Sequence, residues 1–280
     1  MSICTPRRRP SWKQGFARNA AESKNPGLWK GLRGLWAPVL GPTGTTLRDV
    51  SGYGNHGVLT NMDPATDWVT NANGYALAFD KGGADNAGII VPTTAMGGLR
   101  ASRTITVVCL VEVADITWNS GGLFDFYHLA AGDGWYLSGS NSADTSLQFS
   151  GYEGWGGGTI TSDAVLTLGD TINVVCTCDG TTGRMWIDGV EQSTTFTLAA
   201  GVMTVTQDLY FGNRDALNAE FICEHSMFGV WDHALTPNEI QQLYEQPLAP
   251  LQLRRRVYPA AVGGAPPATN RRRRFLIGAA

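Results

Sequence analysis

The stretch "ITVVCLVEV", residues 105–113, constrains the fold more than any other part of the chain. Ile105, Val107, Cys109, Val111 and Val113 recur at every second position, so an extended strand places all five on one face. "INVVCTCD", 172–179, repeats the pattern with Ile172, Val174, Cys176 and Cys178. "YALAFD", "AGIIV", "GLFDFYH", "GWYLSG", "SLQFSG", "QDLYFGN" and "EFICEHSMFGVWD" add further strand-like runs. Gly and Ser break these runs at short spacing, and "GRMWIDGV" reads as a strand turning at Asp188-Gly189. Strands do not alternate with helices, so a parallel sheet is not expected. The pattern predicts an all-β, two-sheet antiparallel jelly-roll sandwich of roughly ten to fourteen strands.

One helix is signalled late in the chain. In "ALTPNEIQQLY", Thr236 serves as N-cap, Pro237 as the first helical residue and Glu239 as the capping-box partner. Ile240, Leu243 and Tyr244 form an apolar stripe that is expected to pack on the sandwich, and Pro247 closes the segment.

Glycine supplies 35 of the 280 residues, which suits a chain with many turns. No apolar run approaches the roughly 18–20 residues that a membrane span needs, so no membrane partner is expected. "MSICTPRRRPSWKQGF" is basic without a following apolar stretch, and it does not read as a secretory leader. There are five cysteines, without a CxxC pair. Cys109, Cys176 and Cys178 lie inside apolar strands, so they read as reduced core thiols, in keeping with assembly in a host cytoplasm.

The net charge of −3 hides an uneven distribution. Residues 1–35 carry eight Lys or Arg and one acid, Glu22. Residues 248–280 carry seven arginines and no acid, whereas 36–247 hold six Lys or Arg and 23 acids. An acidic body therefore stands between two basic flanks. The sequence divides into an N-terminal arm (1–27), a body (28–247) and an arginine-rich extended arm (248–280). Segments as rich in Pro, Ala and Gly as the last of these bury too little apolar surface to order themselves. Partner anchoring is assigned to Arg7, Arg8, Arg9, Arg254, Arg255, Arg256, Arg271, Arg272, Arg273 and Arg274. The expected partners are other assembly proteins and copies of this chain. Nucleic acid is the lesser alternative, because the acidic body repels a polyanion and the arms lack paired stacking aromatics.

Five motifs, in order, resemble the laminin-G-like, concanavalin A-like jelly rolls. "DVSGYGNHGVLTN" is similar to the family's early Asp-x-Ser-Gly-x-Gly-Asn-x-Gly turn, and "YALAFD" to its Ala-Leu-x-Phe strand. "TITVVCLVEV", "NVVCTCDGTTGRMWIDGVEQ" and "FGVWDHALTPNEI" resemble its first core strand, its hairpin ending in Tyr-Val-Asp-Gly and its closing strand followed by Ala-Leu-Ser-x-x-Glu-Ile. The resemblance spans about residues 28–247 and implies a two-sheet sandwich used mostly for binding. Many relatives carry Ile-Asp-Glu before the closing strand, where this chain has His225, Ser226 and Met227.

The candidate chemistry is sparse. Asp49, Ser51 and Asn55 offer oxygens to calcium, but one carboxylate is few for such a site, and the same residues suit a glycine-shaped turn. No cofactor is therefore expected, with Ca²⁺ through Asp49 and Asn55 as the alternative. There is no GxSxG or HExxH motif, and the four histidines read as structural. No strand carries the alternating carboxylates of a glucanase, so an enzyme is not expected. Tyr152, Glu153 and Trp155 in "QFSGYEGWGGG" are the candidate glycan contacts, with Trp118 and Trp135 as further candidate rings. The resulting expectation is a non-enzymatic structural protein of a bacteriophage virion: a decoration, neck or tail-fibre component fastened by its arms. The alternative is a lectin-like module for surface glycans.

Overall fold

The computed structural model describes residues 15–79, 87–92, 99, 102–114, 121–128, 131–140, 145–153, 156–163, 166–198, 205–214, 217 and 221–254. Cys4, Trp118, Trp155 and every arm arginine named above except Arg254 lie outside these residues.

In chain order the strands begin with β1 (Leu32–Trp36), β2 (Thr46–Leu47), β3 (Gly57–Thr60), β4 (Trp68–Asn71), β5 (Gly74–Phe79) and β6 (Gly88–Val91). Next come β7 (Thr104–Val113), β8 (Gly122–His128), β9 (Asp133–Gly139), β10 (Leu147–Glu153), β11 (Gly156–Thr161) and β12 (Thr171–Asp179). The last are β13 (Thr182–Ile187), β14 (Val190–Glu191), β15 (Phe196–Thr197), β16 (Leu209–Phe211) and β17 (Cys223–Trp231), followed by helix α1 (Pro237–Glu245). The count exceeds the expected ten to fourteen because β2, β14 and β15 have two residues each, too few to show alternation.

The strands form two antiparallel sheets, as the sequence and the family resemblance implied. Sheet one runs β14-β13-β12-β7-β17-β5-β4, with β1 beside β17 and β15 beside β13. Sheet two runs β11-β10-β9-β8-β16-β6-β3-β2. Their inner faces enclose the main core. The alternating residues Ile105, Val107, Cys109, Val111 and Val113 all lie in it, facing Phe124, Phe126, Trp135, Phe149 and Phe211 of sheet two. Cys109, Cys176, Cys178 and Cys223 are buried free thiols, and burial pushes the Cys178 thiol up to about 11.

Sheet one also buries its outer face, which the alternation alone did not reveal. Val108, Leu110, Val175, Met227 and Trp231 form a second core with Phe16, Leu28, Leu35, Ala249, Leu251 and helix α1. The helix is capped as expected: Thr236 accepts from the Glu239 amide, and the Glu239 carboxylate accepts from the Thr236 amide. Ile240 and Leu243 are buried, but Tyr244 is exposed. Its ring sits beside the Gly189 turn, not over the sheet.

A bulge keeps both cores in register. Val111 pairs with His225 and Leu110 with Met227, so Ser226 is the extra residue on β17. Without it, everything beyond 226 would switch faces.

The flanks reach further into the body than the boundaries at 27/28 and 247/248 suggested. The Ala17 amide donates to Leu251 O (2.9 Å), Lys24 to Gln252 O (2.7 Å) and Arg254 to Glu22 O (2.7 Å). Ala17, Ala249 and Leu251 are fully buried. The apolar surface of Phe16, Leu28 and Leu251 explains the difference: these residues close the second core, and their Pro- and charge-rich neighbourhood masks that role in the sequence.

Candidate functional site

Among the candidate residues, Asp49 is the best placed to report on metal binding. Its Oδ1 accepts from the Leu35 amide (3.0 Å) and the Ser51 amide (2.8 Å). Its Oδ2 accepts from the Ser51 hydroxyl (2.8 Å) and the Asn55 amide (2.9 Å). Asn55 is equally occupied: its side chain donates to Arg33 O, and its carbonyl accepts from Trp36 Nε1 (both 2.7 Å). Gly52 and Gly54 supply the positive φ values, 91° and 78°, that fold the loop around the carboxylate. Asp49 and Asn55 are thus held as the hub of a turn that ties β1 to β2 and β3. Among the described residues, no cluster of three or more His, Cys, Asp or Glu is arranged to hold a metal.

Tyr152, Glu153 and Trp155 are not brought together. Trp155 lies outside the described residues. Tyr152 and Glu153 are consecutive on β10, so they point to opposite faces. Glu153 turns inward, with its side chain 2% exposed, and ion-pairs with Arg103 at 2.6 Å. It cannot meet a sugar beside Tyr152. Trp135 likewise stacks on Phe149 inside the core.

Tyr152 does face outward, and it has company that the sequence reading missed. Tyr127 on β8, Tyr136 on β9 and Tyr152 on β10 cluster on the outer face of sheet two. Their ring centroids lie 5.5 Å (127–136), 5.6 Å (127–152) and 6.1 Å (136–152) apart. Gly134 pairs with Tyr127 on one side and Tyr152 on the other. A side chain at 134 would collide with Phe126 O, so glycine leaves the gap over which the two rings meet. The Arg214 guanidinium lies 5.2 Å from the Tyr136 centroid and 3.4 Å from the buried Asp125 carboxylate. Asp125 in turn accepts from the Tyr127 amide (3.0 Å). Ser150 and Thr159 hydroxyls pair at 2.8 Å alongside, and Tyr152 Oη reaches Thr159 at 3.4 Å.

This face combines ring surface with fixed donors and acceptors. Burial, followed by the neighbouring Tyr152, raises the Tyr127 phenol above its ordinary value. Burial also raises Tyr136. Both phenols therefore remain hydroxyl donors through neutral pH. The signal in the sequence was the phase of three separate strands: Tyr127, Tyr136 and Tyr152 each occupy the position opposite to the core residues of their own strand.

The structure also sets two carboxylates against each other. Glu112 of β7 pairs directly with Glu224 of β17, on the outer face of sheet one. They are 112 residues apart in the chain, so no local motif announces them. Desolvation first, then the Glu224 charge, raises the Glu112 carboxyl above its ordinary value.

Comparisons with known proteins agree with this architecture. A laminin-G-type family model described as the concanavalin A-like lectin/glucanases superfamily matches residues 64–241. No curated protein matches the sequence. The binding domain of Paraclostridial Mosquitocidal Protein 1 superposes with a TM-score of 0.61 at 14% identity, covering 79% of this chain and 53% of that one. Trypanosoma rangeli sialidase superposes with a TM-score of 0.55 at 15% identity, covering 78% of this chain and 33% of that one. The chain thus spans about half of the first and a third of the second, and at such identities the likeness is one of fold. With the family model covering most of the sandwich, the chain belongs to the laminin-G-type family of the concanavalin A-like lectin/glucanases superfamily.

Proposed function

We propose that the protein is a non-catalytic glycan-binding module that its basic arms fasten to a larger assembly. The observation that carries the binding half is the outer face of sheet two, with Tyr127, Tyr136 and Tyr152 beside the Asp125–Arg214 pair. Aromatic rings stack on the apolar faces of sugars, while fixed donors and acceptors read the hydroxyls. The carboxylate nearest the rings, Asp125, is buried and paired with Arg214, which suits orientation better than proton transfer. Glu112 and Glu224 lie on the other sheet's outer face, away from these rings. The test is a glycan array probed with the full chain and with a Tyr136→Ala/Tyr152→Ala double variant. Binding by the native chain that the double variant loses, without loss of fold, is the expected result. An array without any bound glycan would remove this reading.

A second observation favours the anchoring half. Three backbone hydrogen bonds tie 17–24 to 251–254, so the two basic flanks are joined at the body. Two basic flanks joined in this way can act together on one acidic partner surface or a neighbouring copy. A capsid, neck or tail of a bacteriophage assembled in the host cytoplasm is the setting proposed for that partner. Deleting 1–14 and 255–280 should abolish incorporation into particles while the body keeps its melting temperature. Normal incorporation of the trimmed body would refute anchoring by the arms.

A further inference from the structure

The outer face of sheet one is apolar where the second core covers it, yet polar side chains are set into it at one end. Glu112 of β7 pairs directly with Glu224 of β17 on one side and with Thr171 of β12 on the other. Leu110, one step along β7 on the same face, pairs with Met227 and with Asn173. The phase of β12 fixes the direction of Asn173. Its neighbours Ile172 and Val174 lie in the main core, so Asn173 faces outward with Leu110 and Glu112. Asn173 and Glu112 are diagonal neighbours on adjacent strands, a separation that longer side chains bridge.

Two of these side chains are unsatisfied. Glu224 Oε2 is buried without a hydrogen-bond partner among the described residues. So are Oδ1 and Nδ2 of Asn173, a residue only 3% exposed. No ion pair among the described residues includes either glutamate. Burial and then the Glu224 charge raise the Glu112 carboxyl, so the two carboxylates are close enough to repel. Leu110 and Met227 are buried beside them and offer no donor. An orphan acceptor in such surroundings costs free energy until something binds it. Two facing carboxylates beside a free amide oxygen call for a cation. The Asp49 turn is the reverse case, since four donors already occupy its carboxylate oxygens.

We propose that Glu112, Glu224 and Asn173 hold a divalent metal ion, with calcium the best fit. The donors are all oxygens: two carboxylates, the Asn173 amide and, at the exposed edge, the Thr171 hydroxyl. Calcium takes roughly six to eight oxygens in irregular geometry and fills the remainder with water, whereas softer metals seek His or Cys. Neighbouring strands lie about 4.8 Å apart, so an ion above Glu112 is one strand from Glu224 and one from Asn173. Bound there, it joins β12, β7 and β17 across the line where the carboxylates otherwise repel. The site lies on the other sheet from the tyrosine face and does not rest on the glycan reading.

The test is thermal unfolding of the full chain, stripped with EDTA and then titrated with calcium chloride. Sodium chloride at matched ionic strength is the control. Expected is a saturable rise in melting temperature that sodium does not reproduce. Glu224→Gln should melt above the native chain in EDTA, because the repulsion is gone. The same variant should lose calcium affinity by roughly 100-fold, the upper end of what a lost supporting group costs a metal site. Asn173→Ala should weaken calcium about tenfold. Glu245→Gln removes an acid from helix α1 and should respond as the native chain does. A response that sodium matches, or one that survives unchanged in Glu224→Gln or Asn173→Ala, would overturn the assignment. The absence of any calcium response in the native chain would overturn it too.

Discussion

The outward faces of the two sheets are opposite solutions to one problem. Each strand presents alternate residues to the shared core, so the other half must go somewhere. Sheet one hides that half under helix α1 and the two flanks, and fills it with Val108, Leu110, Val175, Met227 and Trp231. Sheet two fills it with Tyr127 and Ser150, which are buried, Tyr136 and Tyr152, which are half-buried, and Thr159, which is exposed. A sheet covered on both sides is a scaffold, and a sheet covered on one side has a surface to offer. The contrast singles out the face on which glycan binding is proposed.

The largest test of this contrast is at Trp231. It is fully buried in the second core, and its Nε1 donates to Leu28 O at 2.8 Å. Trp231→Ala should cost about 3–5 kcal/mol in denaturant unfolding, as other large core truncations do. Tyr136→Ala on sheet two should cost about 1 kcal/mol in the same experiment, the common size for a half-buried position. If the two losses are equal, the tyrosine face is structural packing and the contrast between the sheets fails.

The shared core makes its own prediction. His225 is fully buried between Phe79 and Phe228, with ring centroids 4.9 and 4.2 Å away, and neither ring nitrogen has a hydrogen-bond partner among the described residues. Burial holds its imidazole neutral far below the usual range. The unfolded chain takes up a proton near the ordinary value of about 6.5, and the folded chain does not. Stability is therefore fully present above that value and is lost as pH falls below it. The loss should approach about 1.4 kcal/mol per pH unit. His225→Leu should flatten the stability profile between about pH 6.5 and 5 by one proton. An unchanged slope would mean that the core admits the charged ring.

The fold was largely legible in the sequence because alternation is a local signal. Ile105 to Val113, Thr236 with Glu239, and Asp188-Gly189 each declare their structure within a few residues. The second core was not, although a trace of it was present. Val108 and Leu110 fall out of phase with Ile105 and Val107, and a run apolar on both phases means a strand buried on both faces. What covers it could not be read, because Phe16 and Leu251 lie in charged, proline-rich flanks. The face proposed for glycan binding was half legible. Tyr152 stood out in its glycine-rich stretch, Glu153 was misplaced because neighbours on a strand face opposite ways, and Tyr127 and Tyr136 needed the strand order β8-β9-β10.

The smallest expected effect also depends on strand order, and it tests the scaffold sheet. Glu112 and Glu224 face each other across β7 and β17, where like charges oppose folding. The Glu112 carboxyl is raised by burial and by its neighbour, so this cost is present when both groups are ionised and vanishes as acid protonates them. Glu224→Gln should therefore stabilise the protein at neutral pH, by about 0.2–1 kcal/mol on the scale of cross-strand pairs. The gain should shrink in high salt and disappear near pH 4, where the raised Glu112 carboxyl is already partly protonated. Thermal melts at two pH values and two salt concentrations read all of this. A gain that survives acid and salt unchanged would come from better packing of the amide, and it would remove charge repulsion as a feature of sheet one.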